Sequence, residues 1–90
     1  MPGFSLRKEV DLRFLTFYFN EIYVSGENRY LVSVVDRDSK TYIFHMQNAG
    51  TKWELALPEA CPLWIQKREN EFSIAITEHL LFKQIGTTRK

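Results

Sequence analysis

Two short runs of β-branched and aromatic residues, Tyr30-Leu31-Val32-Ser33-Val34-Val35 and Tyr42-Ile43-Phe44-His45-Met46, stand on either side of a wholly polar segment, Asp36-Arg37-Asp38-Ser39-Lys40. Such runs suit a pleated surface, and a polar loop between two of them is the mark of a β-hairpin. Asp and Ser side chains can accept hydrogen bonds from their own backbone, which gives the loop a mechanism for bending. Alternation puts Tyr30, Val32 and Val34 on one face with Tyr42, Phe44 and Met46, and Leu31, Ser33, Val35, Thr41, Ile43 and His45 on the other. The first set reads as core.

The rest of the chain is arranged around this hairpin. Leu12 to Phe19 (LRFLTFYF) is a strand candidate that is apolar on both sides: Leu15, Phe17 and Phe19 point one way, Phe14 and Tyr18 the other. Asn20 and Glu21 suggest a bulge or bend before Ile22-Tyr23-Val24, and Ser25-Gly26-Glu27-Asn28 is a turn signal. After a further turn at Asn48-Ala49-Gly50-Thr51, Trp53, Leu55 and Leu57 alternate inward. Pro58 and Pro62 end the sheet, because proline donates nothing to a ladder. A helical turn after Pro62 would plant Trp64 or Ile65 in the core.

From Asn70, the residues Phe72, Ala75, Ile76, His79 and Leu80 recur at helical spacing, with Asn70 as N-cap and Gly86 as the stop. Phe72 to Thr77 also alternates strictly, so a fifth strand there competes with the helix. Met1 to Asp11 reads as a partly ordered arm and Gly86 to Lys90 as a frayed basic tail. The expected fold is therefore α+β in one domain, a four-stranded antiparallel β-meander with a C-terminal α-helix packed on one face.

Pro62-x-Trp64-Ile65 followed by Glu69-x-x-Phe72-Ser73-x-Ala75-Ile76, behind a strand meander, resembles small bacterial α+β proteins that are themselves uncharacterised. The shared positions are core positions. The resemblance implies a fold and carries no functional residue.

Composition narrows the chemistry. Twelve basic and eleven acidic side chains give a net charge of +1, and the signs interleave, so no strong field steers nucleic acid or anionic lipid. A single cysteine, Cys61, permits no internal disulfide and fits a reducing cytoplasm, where it reads as a small buried hydrophobe. Met1 to Asp11 is charged where an export signal would be apolar, and no apolar run approaches the roughly 20 residues of a membrane-spanning helix.

Two histidines, His45 and His79, share no metal-ligand spacing, and four scattered glycines form no phosphate loop. The acids fall in turns or near the helix start, where solvation and capping account for them. The expectation is a non-enzymatic domain without cofactor or metal that binds a protein partner or a second copy of itself. Its candidate surface is the outer sheet face: Phe14, Tyr18, Leu31, Val35 and Ile43, a patch of roughly several hundred Å2 of the kind that usually marks an interface. Phe4, Leu6 or the Leu81-Phe82-Ile85 segment folding over that face would remove it. Two alternatives belong to other classes. Phe14, Tyr18 and Tyr23 with Arg13, Arg29, Arg89 and Lys90 could stack and neutralise single-stranded nucleic acid, although balanced charge disfavours this. A small ligand could also sit between helix and sheet.

Overall fold

The computed structural model describes the backbone of residues 3–88 and the side-chain surroundings of residues 3–83. Five strands run β1 (Gly3–Val10), β2 (Arg13–Val24), β3 (Glu27–Val35), β4 (Thr41–Asn48) and β5 (Trp53–Leu55), paired antiparallel in that order. A 3-10 turn (Pro58–Ala60) leads to a short helix α1 (Leu63–Gln66) and then to α2 (Glu69–Thr88). The class is α+β, but the meander has five strands rather than four. The added strand is N-terminal, and the residues that alternate over Phe72–Thr77 are helical.

What was expected to be a partly ordered arm is the edge strand β1, paired with β2 from Gly3↔Asn20 to Val10↔Arg13. Only Asp11 and Leu12 join the two, both with positive φ (51° and 66°). A left-handed pair of this kind makes a two-residue hairpin turn whose twist matches that of the strands. Leucine is a poor occupant of that region, since its Cβ crowds the following carbonyl. Leu12 is thus a turn residue, 91% exposed, and not the start of a strand. Ser25 and Gly26 (φ 51° and 81°) make the same kind of turn between β2 and β3.

No bend interrupts β2 at Asn20-Glu21: both residues stay in register, opposite Leu31 and Tyr30. In the β3–β4 loop, Asp36 Oδ1 accepts hydrogen bonds from the amides of Asp38 and Lys40, each at 2.9 Å. Main-chain bending by an Asp side chain is the expected mechanism, observed.

One sheet face carries Phe17 and Phe19 of β2, Tyr30, Val32 and Val34 of β3, Phe44 and Met46 of β4, and Trp53 and Leu55 of β5, all buried. α2 lays Phe72 and Ile76 against it. The Phe72 ring lies 5.1 Å from Phe17, 5.9 Å from Phe19 and 5.6 Å from Phe44, spacings at which tilted aromatic rings attract. Ile65 from α1 is fully buried, while Trp64 beside it is only half-buried, edge-on to Tyr42. Phe4 and Leu6 of β1 pack against this same core, Phe4 stacked between Phe19 and His79.

α2 does more than cover the sheet. Serine at position 73 is buried, and its Oγ accepts the Trp53 amide at 2.9 Å; Glu69 Oε2 accepts the Leu55 amide at 2.8 Å. Those two amides point away from β4, because Glu54 between them pairs with Gln47. The helix therefore seals the edge of β5. α2 begins at Glu69, so Asn70, expected as its N-cap, lies inside the first turn. At the other end the backbone stays helical through Gly86 to Thr88, so the expected stop and tail at Gly86 are not seen; Arg89 and Lys90 lie outside the described residues.

Candidate functional site

Because the core takes one side of every strand, the opposite side of β2, β3 and β4 is left to whatever lies beyond the sheet. Tyr18, Ser33 and Ile43 form one cross-strand row on this outer face, and Leu31 sits diagonally between Tyr18 and Ile43. Tyr18 is 55% exposed, Ile43 63% and Val35 52%, while Leu31 is half-buried. Phe14, 62% exposed, stands apart from that group, where β2 runs past the start of its pairing with β3, and the Arg7 guanidinium lies 5.1 Å from its ring centre. The five expected residues thus share one face, with Tyr18, Leu31 and Ile43 adjoining, Val35 at the hairpin end and Phe14 at the periphery.

Neither segment expected to fold over this face does so among the described residues. Phe4 and Leu6 belong to the core side. Leu81 and Phe82 are exposed on α2, which packs on the core side as well, and the Ile85 side chain lies outside the described residues.

The reactive groups are scattered. His45 lies on the outer face, opposite Leu31, and His79 on α2 stacks on Phe4 at 4.4 Å. Burial and the neighbouring Glu59 push the Cys61 thiol upward, away from the thiolate a nucleophile requires. Among the described residues no three His, Cys, Asp or Glu side chains are grouped to hold a metal ion, and no helix is long and apolar enough to cross a membrane. Of the other members of an expected base-stacking platform, Tyr23 and Arg13 are exposed at opposite ends of β2 and do not meet, Arg29 is half-buried on β3, and Arg89 and Lys90 lie outside the described residues.

Two cavities were not visible in the sequence. One, about 420 Å3, opens beside the end of α2 and is lined by Glu21, Glu27, Asn28, Tyr30, Trp53 and Leu80 among others. The Tyr30 hydroxyl is buried there without a hydrogen-bond partner, and burial together with Glu21 pushes its pKa up to about 12. The other, about 560 Å3, lies beside β4 and is lined by Arg29, Ile43, Phe44, His45, Ala56, Leu57 and Cys61 among others. The second depends on how short β5 is and where the following turn leaves the sheet, which no local pattern encodes.

No protein-family model, no curated protein and no solved structure matches the chain.

Proposed function

We propose that this chain is a small non-enzymatic protein-interaction domain of the cytoplasm whose outer sheet face meets a protein partner or a second copy of itself. The observation that carries the reading is the uncovered cluster of Tyr18, Leu31 and Ile43, flanked by Val35 and Phe14, on a sheet whose other face is already filled by α1 and α2. Propensity for β structure accounts for single apolar residues on a solvated face, whereas several on adjoining strands exceed it. The lone buried Cys61 supports the compartment.

The test compares wild type with the Phe14→Lys/Ile43→Lys variant in sedimentation and in capture from lysate of the source organism. Association present in the first and lost in the second, with circular dichroism unchanged, is the expected outcome. Equal association by both variants would remove the outer face from consideration.

A second reading, binding of a small polar ligand in the cavity beside α2, is favoured by the unpartnered Tyr30 hydroxyl. It requires that Tyr30→Phe weaken ligand-induced stabilisation without lowering the stability of the free protein.

A further inference from the structure

The sheet has two edges that α2 does not seal, and they differ in kind. β1 carries Arg7, Lys8 and Glu9 along its length, the charged decoration by which natural sheets discourage a further strand. The outer edge of β4 is different. β5 pairs only with Met46–Asn48, and the Ala56 amide adds one bond to the His45 carbonyl before the chain departs. Since the backbones of Tyr42, Phe44 and Met46 face β3, those of Thr41 and Ile43 face outward with His45 and Gln47. No backbone or side-chain partner meets the outward groups of Thr41 or Ile43 among the described residues.

This bare edge forms one wall of the 560 Å3 groove, a volume within the roughly 300–1,000 Å3 of ligand sites. The groove is apolar through Ile43, Phe44, Ala56, Leu57 and Cys61, and none of its lining residues is acidic. It contains one cation whose hydrogen-bonding is incomplete. Arg29 Nε is buried and unpartnered, while the other end of the guanidinium lies 3.7 Å from the exposed Glu27.

We propose that the β4 edge binds an extended peptide segment of a partner protein, added as a sixth strand, with an acidic residue flanked by apolar ones. The inference rests on the protein-binding reading and names a partner class for it, at an edge that adjoins the Tyr18 cluster and shares Ile43 with it. Unpaired main-chain donors and acceptors in a row are satisfied by another extended main chain, and alternate side chains then supply specificity. A peptide residue opposite Ile43 points to the outer side, along which His45 and then Arg29, two cross-strand rows further on opposite Gln47, line the same groove; an acidic side chain reaching along the groove would meet the accessible part of the guanidinium. The neighbours of that peptide residue point to the opposite side, toward Phe44 and Cys61.

The probe is a display library of random seven-residue peptides panned on the full chain. Enriched sequences should share an apolar-acidic-apolar core, and a synthetic representative should slow hydrogen exchange at the Ile43 amide. Methylating the peptide nitrogen opposite Ile43, or Arg29→Met in the protein, should each weaken binding about tenfold or more, as loss of a main-chain or charge-assisted hydrogen bond does. Phe14→Lys should leave it unchanged. The proposal is overturned if no sequence enriches, if binding survives N-methylation, or if the chain instead pairs with itself along this edge. Binding lost in Phe14→Lys but kept in Arg29→Met would overturn it while leaving the outer-face reading intact.

Discussion

Removing the hydroxyl that closes the edge of β5 is the sharpest stability test of how α2 and the sheet are joined. In Ser73→Ala the Trp53 amide, which meets Ser73 Oγ at 2.9 Å inside the core, has no acceptor left. A buried donor stranded in this way costs about 1–3 kcal/mol, and alanine returns about 0.5 kcal/mol of helix propensity. The net loss is about 0.5–2.5 kcal/mol, from a domain whose total stability, at its length, is roughly 5–13 kcal/mol. Urea unfolding would register a lower midpoint with unchanged slope, and each kcal/mol would lower Tm by about 4–8 °C. Hydrogen exchange at the Trp53 amide should accelerate more than at Phe44, whose ladder is untouched. Wild-type stability together with unchanged Trp53 protection would refute the argument, because the amide would then have another partner.

Leu12→Asn should stabilise the domain by about 0.5–1 kcal/mol, since asparagine tolerates the left-handed conformation that leucine adopts at φ 66°; a fall in Tm would show that the turn relaxes instead. Tyr30 gives a pH dependence. Its phenol is held protonated in the fold, with a pKa near 12, so the unfolded chain releases the proton first and stability falls from about pH 10 toward 12. Tyr30→Phe should flatten that part of the unfolding curve. Trp53→Ala should cost about 3–5 kcal/mol, and Trp64→Ala clearly less because Trp64 is only half-buried; the order is read directly from the two urea midpoints.

The fold was legible in the sequence wherever a local pattern and the tertiary structure agree. Alternation in Tyr30–Val35 and Tyr42–Met46 identified the core side of the hairpin, and the two-sided apolarity of β2 correctly split Phe17 and Phe19 from Phe14 and Tyr18. β1 was hidden for a physical reason. Its hairpin turn is made by Asp11-Leu12 in place of the glycine or asparagine that announces such turns, and the charges at Arg7, Lys8 and Glu9 obscure the inward set Phe4, Leu6, Val10. Asn20-Glu21 suggested a bend, yet Asn20 faces solvent and Glu21 is engaged by Lys83 at 3.3 Å, so neither residue breaks the strand. Glu69 looked solvated because its partner is a main-chain amide fourteen residues earlier. The outer-face residues could be named from alternation alone. The β4 groove could not, since it exists only because β5 stops after three residues.

The most direct measurement of whether the outer face is a free surface is the equilibrium stability of Phe14→Lys/Ile43→Lys relative to wild type. Both side chains are more than half exposed, so the variant should show a cooperative urea transition within about 0.5 kcal/mol of wild type. A loss above about 2 kcal/mol would mean that the two lysines had been forced into an internal core, and the outer face could not then be the surface that meets a partner.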